Sequence, residues 1–223
     1  MSTASPDMLD RIRASRDKLG YSIVDLAIRP ERFFRELLQT NPSHLPFFLI
    51  WFVGIAGAVE RFDTRLAMLQ AFGSALPEQA MQWTTLWPGF LVAGLIGGSL
   101  AWLIWGWWFR TRLRFCGVVD ADKWEARLVW IYSRSVYTVP SVGWLIVVTA
   151  IYDDYQAAWT ASPWGFTLAG LYFWSVWVGY RGATSWFPVK KAPALWWFLI
   201  LPLALYGTVL GVVIVLTLVA VWL

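Results

Sequence analysis

Residues Lys123–Tyr152 read KWEARLVWIYSRSVYTVPSVGWLIVVTAIY. The second half, from Val139 to Tyr152, carries no charge and suits hydrocarbon. The first half holds Arg134 among Tyr132, Ser133, Ser135, Tyr137 and Thr138, with Pro140 about two turns further on. An arginine at that depth is costly, so it must snorkel, pair or face a polar interior. The stretch marks an all-α, polytopic membrane protein, and the rest of the chain can be placed from it.

Composition agrees with that solvent. The chain is 58% hydrophobic and 14% charged, against about 25% charged in an average soluble domain. Its eighteen tryptophans suit the two water–lipid boundaries, where indoles collect. Cys116 is the single cysteine and His44 the single histidine. An intrachain disulfide and a multi-cysteine metal site are therefore excluded, and the commonest general base is nearly absent. The first forty residues contain no apolar run, so no cleavable signal peptide is expected.

Before the membrane, residues 1–29 form a polar cytoplasmic segment, either a short surface helix or a solvated tail. Pro30 opens a clearer element, an amphipathic helix over 30–41, because proline suits a first helical turn. Phe33, Phe34, Leu37 and Leu38 share one face, with Arg32, Arg35 and Glu36 on the rest. That pattern predicts a helix lying in the headgroup region, aromatic side down.

Five spans follow in a transmembrane domain 45–223, at about 45–61, 85–109, 125–152, 165–180 and 194–223. The first is shorter than the ~20 residues a bilayer usually needs, so Glu60 and Arg61 are expected to snorkel. Residues 61–82 read as a mixed loop broken by Gly73 and Pro77, and Trp159 to Trp164 as a brief one. Gly94 and Gly98 in the second span, and Gly207 and Gly211 in the fifth, have the spacing of close helix contacts.

Charge sets the orientation. Fifteen of the eighteen lysines and arginines lie before the first span, after the second or after the fourth. Only Arg61 and Arg65 fall on the opposite side. The positive-inside rule then places the N-terminus in the cytoplasm and the C-terminus outside.

With five spans, a Pro-x-x-Phe-Phe helix at Pro30–Phe34 and a basic cytoplasmic loop, the chain resembles the Yip family of Ypt/Rab-interacting membrane proteins. Trp124 to Pro140, and Trp177 to Ala192 with Gly182 and Lys191-Ala192, carry the rest of the likeness. It covers roughly residues 30–223. The Asp-Leu-Tyr-Gly-Pro stretch and long N-terminal domain of eukaryotic members are absent. The resemblance therefore implies a bacterial-type member in the cell inner membrane and does not extend to GTPase binding.

Few residues carry chemistry. Arg134 with Tyr132, Ser133, Ser135 and Tyr137 forms a candidate polar intramembrane site, for a lipid headgroup or an anion; the alternative is an arginine snorkelling to the boundary. Asp120, Asp122 and Glu125 read as a helix start rather than a metal site. Arg114 near Cys116 points to a lowered thiol pKa. No phosphate loop, His-Glu-x-x-His or Gly-x-Ser-x-Gly occurs, so neither an enzyme nor a cofactor or metal is expected. The basic loops suit anionic lipid better than nucleic acid.

Two function classes remain. One is a non-catalytic scaffold or adaptor, recruiting or organising partners at the cytoplasmic face. The other is a small transporter or lipid-handling protein with a polar path around Arg134. The expected partners are the bilayer and other membrane proteins or a second copy of the chain.

Overall fold

In a computed structural model of the chain, the residues described are 24–40, 46–74, 76–161 and 164–222. Most of the expected 1–29 segment lies outside them, as do the side chain of Leu38 and all of His44. The described residues are all-helical, with no strand; an isolated bridge joins Gln82 and Asp154.

A helical turn over 24–28 leads into α1 (Pro30–Thr40). Two long helices follow, α2 (Pro46–Ala71) and α3 (Trp83–Phe115), joined through a 3-10 turn at Glu78–Met81. Then come α4 (Lys123–Ile151), a short α5 (Tyr155–Ala161) and α6 (Trp164–Trp186). The last, α7, begins as Lys191–Leu195, passes through a π turn at Trp196–Ile200 and continues as Leu201–Trp222. In the π turn the Leu201 N–H reaches the Trp196 carbonyl. Pro202, next in line, has no N–H to offer the Phe198 carbonyl.

Among the described residues, three helices are long and apolar enough to cross a membrane: Trp83–Phe115, Lys123–Ile151 and Lys191–Val209. The other two long helices differ for legible reasons. In α2 the apolar run gives way to Glu60, Arg61, Asp63 and Arg65. In α6 tryptophan and tyrosine replace much of the aliphatic content, and Arg181 lies within the helix.

The helix starts and stops follow local chemistry. Asp122 caps α4, accepting from the backbone N–H of Trp124 at 2.7 Å and of Glu125 at 3.0 Å, which satisfies two of the otherwise orphaned donors. Gly117 turns the chain out of α3 at φ 94°, a conformation that costs glycine little. Asp154 accepts from the Ala157 N–H at 2.8 Å and starts α5, so the loop expected over Trp159–Trp164 is helical as far as Ala161. The expected 61–82 loop is helical too as far as Ala71, and its Leu66 is buried.

α4 is the central element, packed against α2, α3 and α6. Between α2 and α3 the backbones meet: a Cβ on Gly98 would strike the Ile50 backbone, and one on Gly94 would strike Ile55. Gly54 is held as tightly by Gly94 and Gly98. Gly207 and Gly211, expected to form a similar contact, face open space in the chain.

The aromatic face of α1 also needs correction. It is turned to protein and not to lipid. Phe33 meets the Tyr132 ring at 5.3 Å and Phe34 meets Trp186 at 6.4 Å, while Phe33, Phe34 and Leu37 are all buried. Glu31 pairs with Arg181 on α6, and Gly182 leaves the space that the Phe34 ring fills. Burying one such aromatic is worth about 1.5–3 kcal/mol, ample to hold a short helix on the bundle.

Candidate functional site

Buried apolar residues fall into two clusters, and α4 contributes to both. Ala126 and Leu128–Tyr132 belong to the first; Val142, Leu145 and Val148 belong to the second. Residues 133–141 lie between them, so the polar run occupies the seam. Ser133, Ser135 and Thr138 are buried there.

Burial obliges these hydroxyls to find acceptors, and they find them in their own helix. Ser133 donates to the Val129 carbonyl at 2.6 Å, Ser135 to Tyr132 at 2.7 Å, and Thr138 to Arg134 at 3.2 Å. On α6, Ser175 does the same to Tyr172 at 2.7 Å. The hydroxyls expected around Arg134 therefore lie near it in sequence without bonding to its guanidinium.

Arg134 instead lies against aromatic faces. Its Cζ is 4.2 Å from the Tyr172 ring centre and 5.7 Å from that of Tyr137, within reach of the ring quadrupole. Tyr172 in turn meets Tyr206 on α7 at 4.1 Å. The Tyr137 hydroxyl closely contacts Glu60 on α2, donating to its carboxylate. Among the described residues, Arg134 makes no ion pair and donates no hydrogen bond.

These side chains border a cleft of about 880 Å³ enclosed by α2, α3, α4, α6 and α7. Its size is in the range of small-molecule sites. Arg134, Tyr137 and Ser133 line it; Tyr132 and Ser135 do not. Tyr132 belongs to the packing under α1, and Ser135 is also outside the lining. The five residues expected to form one site are thus divided.

Arg112 is a further cation in the cleft wall, which Arg61 and Arg65 of α2 also border. Sequence placed it in a cytoplasmic loop, but α3 runs on to Phe115. Its guanidinium lies 4.8 Å from the Phe198 ring centre and 5.4 Å from Phe109. Its one acceptor among the described residues is the Trp197 carbonyl at 3.4 Å, and its Nε is buried without a partner. Tyr172 and Tyr206 were missed as well. The signal for Arg112 was its place one turn below the Trp105–Phe109 girdle, still in helical phase with it.

Nearby, Cys116 is fully buried. Burial pushes its thiol up to about 11, with Arg112 offsetting only part of this. That is opposite to the lowering expected from Arg114.

No protein-family model, curated protein or solved structure matches this chain.

Proposed function

We propose that the protein is a five-span, non-catalytic integral membrane protein of the Yip type, and that its activity is to hold a membrane amphiphile in the cleft around Arg134. One observation carries the lipid-handling part. A cleft of about 880 Å³ runs among five helices, three of them long and apolar enough to cross a membrane, with Arg134 in its wall and, among the described residues, no carboxylate paired to it. An unpaired guanidinium in such a place is retained at a cost, which favours a role over simple snorkelling.

Five spans follow if α2 and α6 cross alongside the three apolar helices. Their packing on α4 supports this, since each shares a long face with it. The charge distribution supports a cytoplasmic N-terminus, and the family resemblance a bacterial inner membrane. The Yip assignment rests on the residues quoted for the resemblance.

The scaffold reading is second. It draws support from α1, which is docked by its apolar face and presents Arg32 and Arg35 outward as exposed groups. A docked helix with a charged outer face suits a cytoplasmic partner.

Native mass spectrometry on protein extracted with its surrounding bilayer separates the two. The lipid-handling reading expects a lipid that stays bound through detergent exchange. Loss of all lipid, together with stoichiometric recovery of another protein, would replace it with the scaffold reading.

A further inference from the structure

We propose that the cleft is a phosphate site, in which the anionic oxygens of an inner-leaflet phospholipid sit between Arg112 and Arg134 while an acyl chain lies along α3. This deepens the lipid-handling reading and rests on it.

The polar end comes first. Arg112 approaches from α3 and Arg134 from α4, and both line the one cleft. Neither is matched by a carboxylate among the described residues. Glu60 also borders the cleft, but it is engaged by the Tyr137 hydroxyl. Two guanidiniums held in aromatic surroundings, with donors left over, are matched by one anion that accepts from both. A phosphate suits this better than a carboxylate. Its oxygens spread tetrahedrally and accept from forks arriving from two helices, whereas a carboxylate offers two oxygens in one plane.

The apolar end follows from α3. Ala93, Gly97 and Ala101 succeed one another four residues apart and all border the cleft. Small residues in that register leave a furrow along the helix about 12 Å long at 1.5 Å per residue. Nothing lies within 4 Å of a Cβ built on Gly97. Leu201 and Leu205 of α7 border the same cleft. Arg112 lies near the end of α3 that the charge distribution makes cytoplasmic. A lipid held this way has its headgroup toward the cytoplasm and its chain pointing outward, as in the inner leaflet.

The test uses full-length protein exchanged into a phosphorus-free detergent. Short-chain phosphatidylglycerol, diacylglycerol with the same chains, and inorganic phosphate are added separately and followed by thermal shift and native mass spectrometry. Phosphatidylglycerol is expected to bind and to stabilise; diacylglycerol and inorganic phosphate are expected to bind at least about tenfold more weakly, the loss of one charged hydrogen bond. Arg112→Gln and Arg134→Gln should each weaken phosphatidylglycerol about tenfold or more, and Lys at either position should restore part of it. Equal binding of diacylglycerol would overturn the phosphate inference and leave the lipid reading standing. Equal binding of inorganic phosphate would show a site for the free ion. Binding of neither lipid would remove both readings. Because the comparison of ligands is made on the unaltered protein, misfolded variants would not decide the outcome.

Discussion

Tyr155 donates its phenolic hydrogen to the carboxylate of Asp63 across 2.6 Å, tying α5 to α2 one turn beyond the apolar stretch of that helix. Burial, the larger influence, raises the Asp63 carboxyl to about 6, and the Tyr155 hydroxyl offsets part of the rise. A carboxyl raised on folding binds its proton more readily in the folded state. Its contribution is fully present below about pH 4, the ordinary carboxylate value, and is lost as pH rises through about 6. Melting temperature followed across that window should fall with rising pH, and Asp63→Asn should flatten this part of the curve. Tyr155→Phe should cost about 1–3 kcal/mol, the penalty for a buried acceptor losing its donor, and extend the slope to higher pH. An unchanged curve in Asp63→Asn would remove the assignment.

The α2–α3 seam gives a contrast within one residue type. Gly54→Ala and Gly98→Ala place a methyl against facing backbone, which cannot yield as a side chain can. Each should destabilise the protein by about 1–3 kcal/mol. Gly97→Ala and Gly207→Ala meet nothing within 4 Å and should leave the unliganded melting temperature unchanged. Thermal unfolding in detergent reads both sets. Equal losses at all four positions would mean that this seam is not the tight contact.

Docking of α1 is expected to depend on its buried ring and little on its surface charges. Phe34→Ala should cost about 3–5 kcal/mol and make α1 sensitive to protease. Arg32→Ala removes an exposed pair with Glu36 at 2.9 Å and should cost less than about 1 kcal/mol. Limited proteolysis of the two variants side by side tests the difference; equal cleavage would place α1 off the bundle.

Cys116 should resist alkylation in folded protein at neutral pH, because it is buried and its thiol is pushed up to about 11. Mass spectrometry after maleimide treatment should show label only once the protein is unfolded. Rapid labelling of the native state would contradict this burial.

Reporter fusions truncated after Gly117 and after Leu223 should give opposite signals, the first cytoplasmic and the second external. Equal signals would remove the five-span topology.

Much of the helix layout was legible in the chain, because hydrophobic length and punctuation are local properties. Asp122 and Pro30 stand where helices start, and the five apolar segments each fall within a helix. What the sequence withheld depends on faces meeting. The amphipathic pattern of Pro30–Thr40 is the same for a helix on lipid and for one on α4 and α6, and only Gly182 marks the space for Phe34. The polar run at 133–141 was visible, but the i−3 and i−4 bonds of its hydroxyls commit them to backbone carbonyls and not to the Arg134 guanidinium. Arg112 was hidden by its neighbours Arg110 and Arg114, since a run of arginines reads as a boundary whichever of them turns inward. The small residues of the second span were legible as a stripe, but not which of them meet α2 and which border the cleft.

The π turn at Trp196–Ile200 sets the phase of everything after it. Such a turn accommodates one residue more than the α-helix around it, and one residue is worth about 100° of rotation. Trp197 and Phe198 address Arg112 from within that turn, and Tyr206 meets Tyr172 from beyond it. Deleting a single residue from the turn would let α7 wind continuously and carry Tyr206 about 100° around the helix, away from Tyr172. The two halves of the cleft wall are therefore brought into one register by one surplus residue, in a helix whose apolar composition would have tolerated its absence.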